Sequence, residues 1–267
     1  NDYFTPRTIY SSKERLKIAQ YSSQGTLFVE NWNEIGGSSR MNIMQQKRML
    51  MDPGAALHPS TDKPIPFRCD WKTKDDKNQV MKDYHWYENE TGAMVLDKNI
   101  SVPEDAVDYN TITRRWENID PDTRSAVKVT YDVKTGNWHD GHDLTLKDLM
   151  ANYAFMKELA YKDGENDAWY SDELNKDAKP WYDSIVATRW DEEKDTYTIW
   201  GNFTFPVDDV IGKYYTEYTF PVVPHQLYEA TQFLVTQNET FIPSNTGKYS
   251  WDNTADHWIH WLSKSQG

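Results

Sequence analysis

Between Val127 and Met156 the hydrophobic period changes from two residues to about 3.6, which dictates a strand followed closely by a helix. Ala126 to Tyr131 (AVKVTY) alternates, with Val127, Val129 and Tyr131 on one face. A turn-rich passage then runs from Val133 to Thr145, and Asp140-Gly141 within it is a turn pair. Thr145 stands three residues before Asp148, the spacing of a capping box with Thr145 as N-cap and an acid in the first turn. Leu146, Leu149, Tyr153 and Met156 then share one helical face. A chain with this segment is neither all-α nor all-β.

The remaining segments fit the same class. Leu16 to Tyr21 alternates like a strand, a Gly/Ser/Asn-rich loop runs from Ser22 to Arg40, and Met41 to Met51 predicts a helix stopped by Asp52-Pro53-Gly54. Pro53, Pro59, Pro64 and Pro66 make residues 52–80 loop with short extended pieces. A polar stretch from Trp71 to Asn89 precedes a short strand at Gly92 to Leu96, and Pro103 opens a turn or short helix toward Trp116. Residues 161–183 are acidic. Ile185–Trp190 and Thr196–Phe205 predict a β-hairpin about the turn at 191–195. Helices follow at Asp208 to Tyr218 and from His225 to about Thr236, before a tail with Trp251, Trp258 and Trp261. The order predicts an α+β (mixed α/β) fold, without the clean alternation of parallel units.

Composition narrows the function classes. A chain of 267 residues makes one large or two modest domains. Its 12 Trp, 17 Tyr and 9 Phe supply a core despite a modest apolar share. The net charge of −13 argues against nucleic acid and against an anionic membrane surface. No run approaches the ~20 apolar residues of a membrane span. Cys69 is the single cysteine, which excludes an internal disulfide and a multi-cysteine metal site. No signal peptide is visible at the start. Four Asn-X-Ser/Thr sequons, at Asn89, Asn99, Asn202 and Asn238, lend weak support to an extracellular surface.

Candidate chemistry is sparse. His139-Asp140-Gly141-His142-Asp143 holds two imidazoles and two carboxylates, but the histidines sit across a turn rather than on one helix face, so a structural turn is the better reading and no metal is expected. With 42 acids, pairs such as Asp208-Asp209 or Glu192-Glu193 arise from composition alone, and no pair is marked for glycosidase chemistry. Walker, Gly-X-Gly-X-X-Gly and Gly-X-Ser-X-Gly motifs are absent. Cys69 reads as a small buried side chain. No catalytic residue and no cofactor are assigned. Most aromatics read as core, and the loop residues Trp32 and Trp169-Tyr170 are the better binding candidates.

Three strings together resemble the family-five extracellular solute-binding proteins, the oligopeptide- and dipeptide-binding class of ABC transporters. The first is Val129 to Val133 followed by Trp138-His139-Asp140-Gly141 and Leu144-Thr145-Leu146-Lys147-Asp148-Leu149. The second is Ile185 to Ile199, similar to the family's hairpin. The third is Pro221-Val222-Val223-Pro224-His225, similar to its entry into the next helix. They come in the family's order over residues 16–235.

The resemblance implies part of a two-lobed, periplasmic-binding-protein-like type II clamshell with the second lobe missing. Residues 1–50 would be the first-lobe strand, cleft loop and start of the first helix. Residues 51–184 would be the extra subdomain typical of the family, and 185–267 the return toward the first lobe. By position, Trp32, Asn33, Glu34, Gly36, Gly37, Ser38, Trp169 and Tyr170 would contact the ligand. The family's Ser-Leu-Ala-Glu-X-Trp passage is not intact here. The implied function is binding of a short peptide, or alternatively an oligosaccharide, outside the cell or in the periplasm. The full-length protein would be tethered to the membrane and would deliver its ligand to a membrane permease, with no nucleic-acid partner. A surface hydrolase and an adhesive surface module are the competing readings.

Overall fold

The computed structural model describes residues 52–72, 79–165, 167, 169–170, 172–219 and 224–230. The expected strand at Leu16, the loop through Ser39, the helix at Met41 to Met51 and the Trp-rich tail lie outside the described residues.

Seven strands form one antiparallel sheet: β1 (Cys69–Asp70), β2 (Val80–Lys82), β3 (Val107–Asn110), β4 (Arg115–Asn118), β5 (Val127–Val133), β6 (Ile185–Asp191) and β7 (Thr196–Gly201). Both β1 and β2 pair with the outer edge of β5, and the order then runs β5, β7, β6, β3, β4. The alternation read from the sequence of β5 is the alternation observed: Val127, Val129, Tyr131 and Val133 are buried and Asp132 is exposed. Its register sets Val129 opposite Ile199 and Tyr131 opposite Tyr197. The β6–β7 hairpin forms as expected, turning where the Asp191 carboxylate takes the Lys194 ammonium at 2.6 Å and Asp195 adopts a left-handed φ of 52°.

Helices α1 (Leu146–Ala160), α2 (Asp172–Asp177), α3 (Lys179–Asp183) and α4 (Asp208–Tyr214) accompany the sheet, and residues 225–230 are also helical. The molecule is thus α+β. Two stretches differ from the expectation. The passage from Pro103 to Trp116 is not a short helix but a turn leading into the β3–β4 hairpin. There the Asn110 side-chain oxygen accepts from the N–H groups of Ile112 and Thr113, and Arg114 takes φ of 54°. The polar stretch before Asn89 contains Tyr84–Glu88, which pairs with Met94–Lys98 in a separate hairpin. Val107 and Tyr109 do alternate with Asp108 and Asn110, but over only four residues, and Tyr84–Glu88 lies in a polar stretch.

Among the described residues the aromatic excess goes mainly into the core. Five contacts link six rings across the sheet: Trp71 to Tyr131 (6.4 Å, edge-on), Tyr131 to Tyr197 (4.6 Å, stacked), Tyr197 to Trp190 (5.1 Å, stacked), Trp190 to Trp116 (6.0 Å) and Trp116 to Tyr109 (5.5 Å). α1 lays Tyr153 on this ladder, stacked on Trp116 at 5.5 Å and meeting Tyr182 of α3 edge-on at 5.1 Å. Each such pair adds ~0.5–1.5 kcal/mol beyond area burial. The polar atoms of the rings are anchored: Tyr131 donates to the Gly212 carbonyl at 2.7 Å, and the Trp71 indole donates to Asp209 at 3.0 Å. A smaller core of Ile100, Ala106, Ala187 and Trp200 lies apart from this one, with Lys128 and Arg189 over the Trp200 ring at 5.6 and 5.7 Å.

Candidate functional site

α1 departs from the one-sided helix that its four apolar positions suggested. Asp148, Asn152, Lys157 and Glu158 are buried along with its apolar residues. Burying polar groups costs free energy unless each finds a partner, so these four side chains define where the molecule concentrates its internal polar chemistry.

At the N-terminal end, the capping box read from the sequence forms. Asp148 Oδ2 accepts the Thr145 N–H at 2.7 Å, and the Thr145 hydroxyl lies 3.4 Å from the same oxygen. The other carboxylate oxygen reaches a distant segment: Asp148 Oδ1 accepts the His225 backbone N–H at 2.8 Å and stands 3.0 Å from its Nδ1. One turn on, Asn152 donates to the carbonyls of Tyr218 (2.9 Å) and Thr219 (3.3 Å) and accepts from the Tyr228 hydroxyl at 2.8 Å. Asp148 and Asn152 therefore bind α1 to the segments on both sides of Pro221-Val222-Val223.

The turn before α1 is exposed. His142 stands 3.0 Å from Asp140, and its backbone N–H donates to the same carboxylate at 3.1 Å, which holds the Asp140 carboxyl below its usual range. Gly141, at φ of 92°, closes the turn. Among the described residues no group of three His, Cys, Asp or Glu side chains could hold a metal ion. The Trp138 indole N–H is buried with no partner among the described residues.

At the C-terminal end, Lys157 pairs with Asp108 at 2.6 Å, and Tyr153 donates to the same carboxylate at 3.0 Å. The Lys157 ammonium also lies over the rings of Tyr153 and Tyr161, at 5.8 and 5.7 Å. Glu158 accepts the Tyr109 hydroxyl at 2.9 Å, with Arg114 at 3.7 Å. Burial pushes the Glu158 carboxyl up to about 7, against the opposing pull of the Tyr109 hydrogen bond and Arg114. This cluster can take up and release a proton near neutral pH. No sequence signal marked this cluster: Lys157 and Glu158 read as the solvent face of a helix, and Asp108 and Tyr109 lie on the short strand β3, far off in sequence. Cys69 is fully buried, and burial pushes its thiol up to about 12, far from a thiolate nucleophile at neutral pH.

Of the residues proposed from sequence to touch a ligand, Trp32, Asn33, Glu34, Gly36, Gly37 and Ser38 lie outside the described residues. Trp169 is buried, its ring edge-on to Phe155 at 5.7 Å. Tyr170 is half-buried beneath the Lys162 ammonium at 5.6 Å. Of this pair, Tyr170 is the one with surface to offer. No known family model matches this chain, and no curated protein matches it.

Proposed function

We propose that this chain is part of the extracellular substrate-binding component of an ABC importer, taking short peptides in a cleft between two lobes that close by hinge motion. One observation carries the reading. The three strings that resemble the solute-binding family are scattered along the sequence, yet their described residues meet in space. β5 of the first string pairs along β7 of the second, and Asp148 of the first caps α1 while holding His225 of the third.

The peptide ligand is preferred to an oligosaccharide because the tryptophans, the feature that favoured sugar, are largely spent inside among the described residues, with Trp86 exposed. Trp71, Trp169, Trp181 and Trp200 are buried, and Trp116, Trp138 and Trp190 pack against the core. The mechanism is binding without turnover, with delivery to a membrane permease. The test is mass spectrometry of small molecules released by denaturing the full-length protein, with thermal shifts against peptide and oligosaccharide libraries. A released peptide, or a melting temperature raised by peptides, is the expected result. An empty protein that neither library stabilises overturns the proposal.

A further inference from the structure

We propose that Asn89 is an N-glycan acceptor, and that the fold separates it from the other described sequons. Asn89-Glu90-Thr91 sits at the tip of the hairpin formed by Tyr84–Glu88 and Met94–Lys98. The tip is closed by Asn89 N–H to the Ala93 carbonyl and Gly92 N–H to the Asn89 carbonyl, both 3.0 Å, with Gly92 at φ of 80°. Glu90, Thr91, Gly92 and Ala93 are all exposed.

The acceptor amide is oriented by this turn. Its Oδ1 receives the Thr91 hydroxyl at 2.8 Å, the Thr91 N–H at 3.0 Å and the Ala93 N–H at 2.9 Å. Because the amide is planar, holding the oxygen inward turns Nδ2 away from the turn, and Nδ2 has no partner among the described residues. The sequon hydroxyl and the reactive nitrogen are thus presented together at the tip, where Asn89 is half-buried and residues 90–93 are exposed. Tyr87 lies two residues earlier, on the strand face that continues into Asn89, and is 45% exposed. Its ring offers an apolar surface against which the C–H face of the first sugar can rest.

The other sequons are built differently. Asn99 spends its Nδ2 on Asp83 at 3.1 Å, and Ser101 of that sequon is paired in a strand with Arg124. Asn202 buries its Oδ1, and the Phe203 ring beside it is stacked on Tyr214 at 3.7 Å, so a glycan there meets protein. Asn238 lies outside the described residues.

The reaction is transfer from a polyprenyl-phosphate-linked oligosaccharide, catalysed by a membrane oligosaccharyltransferase. Asn89 Nδ2 attacks C1 of the first sugar, and the N–C1 bond forms as the C1–O bond to the carrier phosphate breaks. The phosphate leaves with the bonding electrons, and the proton lost from Nδ2 passes to a carboxylate of the transferase and on to solvent.

The inference rests on the extracellular placement proposed above. The test is glycopeptide mass spectrometry of the full-length protein from its native cells, with protease shaving of intact cells in parallel. A sugar mass on the Asn89 peptide is expected, lost in Asn89→Gln and Thr91→Ala and kept in Thr91→Ser, with Asn99 and Asn202 bare. A bare Asn89 in protein shaved from intact cells overturns the glycan and leaves the receptor reading standing. A bare Asn89 in protein that stays protected from protease even after the outer membrane, where there is one, is permeabilised overturns both. A sugar on Asn99 or Asn202 with Asn89 bare overturns the geometric argument.

Discussion

Asp148→Ala removes one carboxylate that performs two tasks, and the structure permits its cost to be worked out. The cap it gives the Thr145 N–H is worth ~1 kcal/mol, within a measured span of about 0.5–2 kcal/mol. The His225 backbone N–H loses its acceptor in a half-buried place, which adds ~1–3 kcal/mol for the unsatisfied donor. The sum is ~2–4 kcal/mol, or roughly 5–12 °C in Tm for a domain of this size. Asp148→Asn keeps the shape and one good acceptor but turns an NH2 toward one donor, and should lose about half as much. Urea unfolding followed by Trp fluorescence measures the total. Amide hydrogen exchange over residues 225–230 locates it, since that helix should lose protection while β5 and β7 keep theirs. A loss below ~1 kcal/mol, or an equal loss with protection at 225–230 unchanged, would refute the two-task account.

Three further outcomes follow from the packing. Gly212→Ala removes a helix-interior glycine yet should destabilise by ~1–3 kcal/mol, because the added Cβ falls 2.5 Å from the buried Trp71 ring; a urea midpoint at or above that of the parent would contradict this. Burial raises the folded Glu158 carboxyl from 4.5 to about 7, so between those pH values the folded state keeps a proton that the unfolded state has released. Stability contributed by this group is therefore whole below pH ~4.5 and falls as pH rises to ~7, by on the order of 3 kcal/mol. Glu158→Gln should flatten that slope, as urea titrations at successive pH values would show. Cys69 should resist a thiol-specific disulfide reagent at pH 8 in the folded protein and react at once in denaturant; fast native reaction would place the thiol elsewhere than the core.

The parts of the fold legible in the sequence are those whose local signal and tertiary role agree. β5 alternates because one face meets the aromatic core, and α1 starts at Thr145 because Asp148 caps it. The β6–β7 hairpin shows because charged turn residues separate two strand-forming runs, the second of them buried on both faces. What stayed hidden were elements whose partners lie far along the chain. Lys157 and Glu158 carry the charges of a solvent face, and only Asp108 and Tyr109, brought over by β3, make them internal. The β3–β4 hairpin hides for the same reason: Tyr109 and Trp116 meet each other, Tyr153 and Trp190 through space and not through spacing. Trp169 shows the reverse case, an aromatic in an acidic stretch that packs on Phe155 of α1.

The pairing of β5 with β7 has a consequence in time. Val127 to Asp132 meet Thr196 to Gly201 across a loop of roughly 60 residues that carries α1, α2 and α3, and closing such a loop costs chain entropy before any contact repays it. Sheets built from such remote pairs fold in milliseconds to seconds, whereas a capped helix forms in about a microsecond. The chain accordingly acquires its signature helix early and its aromatic ladder late. For that interval Tyr131 lacks its stacking partner Tyr197, whose own stack on Trp190 needs only the local β6–β7 hairpin, and the nascent chain stays open enough to be threaded, held or degraded before the sheet commits it to one structure.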